Sequence, residues 1–171
     1  MSGPSIRVRP STDAAALSAV ARATFLETFA DIIPFADIAR RAADEDSEAG
    51  MEAMLREGPA WIAAVEETDV PVGYALVSPP DLPSIDTDEG DLELKRIYLM
   101  HRFHGQGVGR RLLEAAIAHA RERTAGRLLL GVYHANPTLA WYERQGFAQI
   151  GTRRFRVGGR FFDDRIMALP L

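Results

Sequence analysis

The stretch from Asp91 to Tyr133 constrains the fold more than any other part of the chain. "DLELKRIYLM" (Asp91–Met100) reads as a strand. "HRFHGQGVGRRLLEAAIAHA" (His101–Ala120) follows, with glycines at 105, 107 and 109. Val108, Leu112, Ala116 and Ala120 recur every four residues, with Leu113 and Ile117 beside them. That is one apolar stripe on a helix, and Glu114, His119, Arg121 and Glu122 lie off it on a solvated face. "RLLLGVY" (Arg127–Tyr133) is short and nearly all apolar, as a strand covered on both faces would be. A strand, a crossover helix and a second strand in this order predict a parallel, right-handed unit. The fold class is therefore α/β with helices layered on a mixed sheet.

The remaining segments fit around that unit. "SIRVRP" alternates polar and apolar residues, as a half-buried first strand does. Ser11, Thr12 and Asp13 can cap a helix running to about Ala30. Pro34 interrupts, and "ARRAADEDSEAG" (Ala39–Gly50) reads as a polar loop or weak helix. A helix near Ser47–Arg56 ends at Gly58-Pro59. "AWIAAVEE" and "VPVGYALVS" form a hairpin, and "PPDLPSIDTDEG" a Pro- and Asp-rich loop. In "NPTLAWYERQGF" Asn136 suits the N-cap, Pro137 the first helical position and Gly146 the exit. Two last strands, near Ala148–Val157 and Phe161–Leu169, join at Gly158-Gly159. The predicted order is strand, two helices, three strands, helix, strand, helix, two strands. No repeat or inter-domain linker is visible, so residues 1–171 read as a single domain.

Composition narrows the partners. The chain is 47% hydrophobic and 26% charged, with a formal net charge of -4. The negative sign argues against nucleic acid as a principal partner. No apolar run reaches the roughly 20 residues that span a bilayer, so no membrane association is expected. "MSGPSIRVRP" has no signal-peptide pattern. The chain has no cysteine, which excludes disulfides, thiolate metal sites and a cysteine nucleophile, and fits a cytoplasmic location. His101, His104, His119 and His134 do not form a metal pattern such as His-Glu-x-x-His, so no metal is expected.

The glycines point to an anion or to a tight turn. A helix N-terminus offers unpaired N–H groups and partial positive charge, and glycines let backbone approach a ligand closely. Arg110 and Arg111 in the first turn oppose the helix dipole, a cost that a bound anion would offset. Two familiar phosphate loops fail. A P-loop needs Lys and Ser/Thr after the last glycine, and neither is present. The dinucleotide fingerprint needs a sixth-position glycine, but Arg110 or Leu112 stands there. The following strand also ends in Tyr133-His134, with no acid to hold a ribose.

"LKRIYLMHRFHGQGVGRRLL" resembles motif A of the GNAT superfamily of N-acetyltransferases, a strand followed by Q/R-x-x-G-x-G/A at a helix start. Its six positions here are His104, Gly105, Gln106, Gly107, Val108 and Gly109, with His104 where the family prefers Gln or Arg. "GVYHANPTLAWYERQGF" is similar to motif B, in which an Asn precedes a helix that carries a Tyr and ends in Gly-Phe. "RRFRVGGRFFDDRIMALPL" is more weakly similar to the C-terminal hairpin of the branch that includes polyamine acetylases. The resemblance implies a central, mostly antiparallel sheet of about seven strands with helices on both faces.

It also implies a mechanism. Acetyl-CoA would be the acetyl donor, its pyrophosphate on the N–H groups of Gly105, Gln106, Gly107, Val108, Gly109 and Arg110. Its pantetheine arm would pair with backbone at Ile97, Tyr98 and Leu99, between two parallel strands that splay apart. Asn136 matches the motif B asparagine on the cofactor side. Tyr142 matches the tyrosine that protonates the departing thiolate, although a core aromatic with its hydroxyl at the rim reads the same way in sequence. Glu93 can be the base that deprotonates an amine, directly or through water, or a strand glutamate facing solvent or paired with Lys95 or Arg96. Strict alternation puts Glu93, Lys95 and Ile97 on one face and Leu92, Leu94 and Arg96 on the other.

The acceptor implied is a primary amine of a small molecule or peptide. The acidic clusters Asp44–Glu48 and Asp86–Asp91 would attract a cationic one, or are simply solvated loops. His134 could touch substrate at its strand end, and Trp141 packs. A homodimer is compatible with the resemblance. The rival readings are an acyl-CoA-binding regulatory module without turnover and a nucleotide-binding domain.

Overall fold

The computed structural model describes residues 3–171. The first two residues of the N-terminal stretch read above lie outside the described ones. The elements are β1 (Ile6–Ser11), α1 (Ala14–Phe29), α2 (Phe35–Ala43), α3 (Glu48–Glu57), β2 (Ala60–Val65), β3 (Pro71–Ser78), β4 (Leu92–Leu99), α4 (Val108–Glu122), β5 (Arg127–Tyr133), α5 (Leu139–Arg144), β6 (Ala148–Val157) and β7 (Arg160–Pro170). The strands form one sheet in the order β1-β2-β3-β4-β5-β7-β6. Only β4 and β5 pair in parallel; every other neighbour is antiparallel. The mixed sheet with helices expected from the sequence is the observed one.

Caps fix the helix ends. Asp13 accepts from Ala16 N–H ahead of α1, and Ser47 from Gly50 N–H ahead of α3. Two elements differ from the sequence reading. The Ala39–Gly50 segment is no loop at its start: α2 covers Phe35–Ala43. Its apolar residues gather on one side, where Ile38 is buried. Tertiary contacts hold it as well, with the Arg41 guanidinium 4.2 Å from the Phe25 ring centroid. At the other end of the chain, α5 starts at Leu139 with Thr138 at its cap, not at Asn136. Asn136 Oδ1 accepts from the backbone N–H and the hydroxyl of Thr138, at 2.9 and 2.7 Å. The asparagine side chain thus closes a turn before the helix, competing with the capping geometry.

Each face of the sheet has its own core. α4 lays Leu112, Leu113, Ala116 and Ala120 against Ala75, Val77, Leu94, Leu128, Leu130 and Met167. Burying side chains of this size contributes about 1.5–3 kcal/mol each. On the opposite face, Leu17, Val20, Ala21 and Met51 of α1 and α3 pack on Ile62, Tyr74 and Leu76. That core continues into Phe25, Ile33, Ile38 and Val157.

Two departures from regularity in β4 matter for function. First, the β3–β4 register slips: Leu76 faces Arg96, while Val77 faces Leu94, so Lys95 is an extra residue. The bulge breaks the alternation expected from sequence. Leu92, Leu94, Ile97 and Leu99 all belong to the α4 core. Arg96 and Tyr98 turn to the α1 face, where Glu93 already points by its alternation with Leu94. Second, β4 and β5 pair only at Leu92–Leu128 and Glu93–Leu129. Beyond that, β4 follows β3 to the Gly73–Leu99 pair and β5 follows β7 to Tyr133–Asp164. The two parallel strands therefore part, and a wedge opens between them toward their C-terminal ends.

Candidate active site

The glycine turn stands at the mouth of this wedge. A short 3-10 turn (His101–Phe103) leaves β4 and leads to Gly105 and Gly107, with φ of 74° and 75°. L-residues are strained in that region, and Gly107 is the residue preceding α4. A Cβ built at either glycine would meet nothing within 4 Å, so neither is needed to relieve crowding. The conformation alone demands glycine, and the space above it is open. The first helical bond at this end runs from Arg111 N–H to Gly107 C=O. The N–H groups of Val108, Gly109 and Arg110 thus precede the ladder, at the positive end of a 15-residue helix. Val108 is buried and anchors the turn, while Gly105, Gln106, Gly107 and Arg110 are exposed. This backbone cradle fits a diphosphate.

The neighbouring side chains shape the loop more than they charge it. His104 Nε2 lies 2.8 Å from Leu99 C=O, so Nε2 donates, and the imidazole ties the turn back to the end of β4. Gln106 donates to Arg102 C=O at 3.0 Å. The two arginines of the first turn have protein partners: Arg110 pairs with Glu114 at 2.8 Å, and Arg111 donates to Ile6 C=O at 2.8 Å. Their cost against the helix dipole is thus met inside the protein, without an anion.

Within the wedge, β4 offers a backbone edge not paired with β5 at Ile97, Tyr98 and Leu99, with the Leu99 C=O taken by His104. Tyr142 approaches from the α4 side. It is 7% exposed and packs edge-on to Trp141 and Phe147, with ring centroids at 5.0 and 5.7 Å. Its ring belongs to the α4-side core. Burial pushes the phenol pKa up, and nearby Tyr98 adds to that. Tyr98 comes from the other face, stacked on Tyr74 at 5.9 Å.

Glu93 sits at the closed end of the wedge. It is 2% exposed, its Oε2 accepts from Asp81 N–H at 2.8 Å, and Lys95 Nζ is 3.9 Å away. It does not face solvent. Asn136 lies in the turn between β5 and α5, apart from the glycine turn, its side chain engaged by Thr138.

Other expectations need correction. His119 is not on a solvated face: it is half-buried, 5.6 Å from the Trp61 ring, and burial lowers its pKa. Each acidic cluster is exposed apart from one buried acid, Asp46 in the first and Asp91 in the second. Asp46 is buried and pairs with Arg96 and with Arg41, the latter at 3.2 Å; Glu45 meets Arg96 at 2.9 Å. Burial opposes the Arg96 charge, but Tyr74, Asp46 and Glu45 outweigh it and raise its pKa. Asp91 is buried beside Arg127 at 2.6 Å and accepts from Asp88 N–H. Neither Asp46 nor Asp91 is available to draw in a distant ammonium. The sequence reading also passed over Tyr133, Arg153, Phe162 and Asp164, which gather on the α1 face beside the wedge. The isolated Gly131 inside an apolar strand was the available signal, since such a glycine marks close approach of another group.

A seven-stranded sheet, parted parallel strands and a glycine-led helix at the gap define an acyl-CoA N-acyltransferase fold. The chain belongs to the acetyltransferase (GNAT) family, which residues 24–147 match. It is 31% identical, over 161 residues, to an uncharacterized N-acetyltransferase of Mycobacterium tuberculosis, covering 94% of this chain and 99% of that one. Among solved structures, it is similar to a GCN5-related N-acetyltransferase from Rhodopseudomonas palustris, with a TM-score of 0.73 at 23% identity over 100% of this chain and 98% of the other. It also matches the PaiA N-acetyltransferase of Thermoplasma acidophilum in complex with coenzyme A, with a TM-score of 0.73 at 18% identity over 98% and 99% of the two chains. The enzyme is accordingly an N-acetyltransferase that uses acetyl-CoA as its donor. Among the described residues no helix is long and apolar enough to cross a membrane.

Proposed function

We propose that the protein transfers the acetyl group of acetyl-CoA to a primary amine of a small molecule or peptide by direct attack. The donor supplies the acetyl group as a thioester. Gly105 to Arg110 hold its diphosphate through main-chain N–H groups, and the free edge at Ile97, Tyr98 and Leu99 aligns its arm. Asn136 borders the same side of the wedge. Backbone N–H groups of that edge stabilise negative charge on a carbonyl oxygen as it develops.

Tyr142 is the general acid. Its raised pKa keeps the phenol protonated at neutral pH, so it can give its proton to the leaving thiolate. Glu93 takes the proton of the amine through a water, since the carboxylate is buried and one oxygen is held by Asp81 N–H. The observation that carries this reading is the parting of β4 and β5 beyond the Glu93–Leu129 pair, with the left-handed glycine turn leading into α4.

An amine panel with acetyl-CoA, read by release of free thiol, tests it. The wild type should turn over at least one primary amine. Tyr142→Phe should lower kcat about a hundredfold while acetyl-CoA binding stays within a factor of a few. Full activity in Tyr142→Phe removes the acid role. Tight acetyl-CoA binding with no thiol release for any amine leaves a binding module instead of an enzyme for amines.

A further inference from the structure

The bulge in β4 brings two neighbouring cations to the α1 face. Regular alternation would give that face only one of Lys95 and Arg96, and the register slip gives it both. Arg96 serves the α2–α3 connection, where it reaches Asp46 and, at 2.9 Å, Glu45. Lys95 serves a different acid. Its Nζ lies 3.9 Å from Glu93 Oε2 and 3.4 Å from Asp81 Oδ2.

The surroundings of Glu93 make that cation matter. Glu93 is buried, and burial disfavours the charged form of any carboxyl group. Asp81 N–H donates to its Oε2 at 2.8 Å. In register beside it, β3 sets Ser78 and β5 sets Leu129, and neither carries a charge. Among the described residues, Lys95 is the one cation within 4 Å of the Glu93 carboxylate. The other charged group beside this pair is the Asp81 carboxylate on the β3–β4 loop. It is 80% exposed and meets the same ammonium from the solvent side, where water and salt screen it.

We propose that Lys95 is a positioning residue for acetyl transfer: its ammonium holds the buried Glu93 carboxylate ionised and in place, ready to take the acceptor's proton at neutral pH. This rests on the reading of Glu93 as the base. A carboxyl group can accept that proton only while it carries its charge. An opposite charge within about 4–6 Å favours the charged form by tenfold or more. Glu93 points to the α1 face, while the Tyr142 ring belongs to the α4-side core, so we place the acceptor on the α1 side. The bulge then has a use in the chemistry: it supplies Glu93 with a cation without taking Arg96 from Asp46.

Carbon NMR of the full chain, labelled at the glutamate side-chain carboxyls, tests the proposal, the Glu93 signal being the one missing from Glu93→Gln. In Lys95→Met its titration midpoint should lie about one pH unit or more above that of the wild type, and in Lys95→Arg close to it. Equal midpoints in wild type and Lys95→Met overturn the proposal. Thermal unfolding should barely change, since Lys95 is part-exposed and such pairs add little stability. Kinetics follow thiol release across the amine panel, with spermidine, glucosamine and an alanine-led peptide included. The Lys95→Met to wild-type ratio of kcat/KM should be about one tenth at about pH 6 and approach about one at about pH 9, with acetyl-CoA affinity unchanged. Taking the ratio at each pH cancels the amine's own titration. A loss that is the same at every pH is structural and overturns the proposal. Glu93→Gln at wild-type rates instead removes the base reading, and the proposal with it, even where the midpoints differ. No turnover of any amine is the failure of the N-acetyltransferase reading itself and takes the role of Lys95 with it.

Discussion

The two sides of the wedge are built from different materials. The proposed donor side is main chain: left-handed glycines, the opening N–H groups of α4 and the free edge of β4. Its side chains mostly serve the protein, as His104 does at Leu99 C=O and Arg111 at Ile6 C=O. The α1 side, where we place the acceptor, is side chain almost throughout: Arg96 and Arg41 against Asp46 and Glu45, and Arg153 against Asp164. A main-chain site tolerates sequence change wherever the backbone path survives. A site made of buried ion pairs does not, because removing one member strands its partner. The contrast teaches why a donor can be shared across a family while the acceptor is particular to each chain.

Substitutions sharpen that contrast. The largest effect is expected at Asp46, which compensates both Arg96 and Arg41. Asp46→Ala should lower unfolding free energy by about 3–5 kcal/mol in urea titrations. A loss under about 1 kcal/mol, the range of surface pairs, would show that the acceptor face is not held by this ion pair. On the donor side, Gly107→Val should cost about 1–3 kcal/mol through its positive φ and weaken acetyl-CoA binding by calorimetry. Unchanged affinity would mean that the turn need not keep this path.

Acid should separate a third acid from both sides. Burial alone would raise the Asp91 pKa, but hydrogen bonds from Arg127 and Asp88 N–H, with the Arg127 charge, hold it below the ordinary value. Its contribution is therefore present above the unfolded value of about 3.9 and is lost as pH falls through the lower folded value. Asp91→Asn should flatten that acid-side loss in unfolding free energy. An unchanged pH profile would deny the linkage. The smallest effect belongs to Arg110→Ala, which removes an exposed pair with Glu114 and should change stability by under about 0.5 kcal/mol. A main-chain donor site also predicts only a modest loss of acetyl-CoA affinity in that variant.

How much was legible in the sequence follows the same division. Glycines at 105 and 107, the four-residue apolar stripe of α4 and the apolar run of β5 are local signals, and they placed the strand–turn–helix–strand unit. The resemblance added the tyrosine at 142 and the parting of the strands. What stayed hidden depends on distant pairing. The bulge at Lys95 comes from how β4 meets β3, so alternation misassigned Arg96 and Ile97. α2 draws on the distant residues Phe25 and Asp46 through Arg41, and Asn136 spends its side chain on Thr138. The Arg153–Asp164 pair joins residues on adjacent strands over Gly131, a contact with no local periodicity to announce it.

Titrating acetyl-CoA into nitrogen-labelled protein and following amide chemical shifts tests the donor side most directly. The largest shifts should fall on Gly105, Gly107, Val108, Gly109 and Arg110, with a second group at Tyr98 and Leu99. Saturable binding that leaves those amides in place and moves others would contradict a main-chain seat at the head of α4.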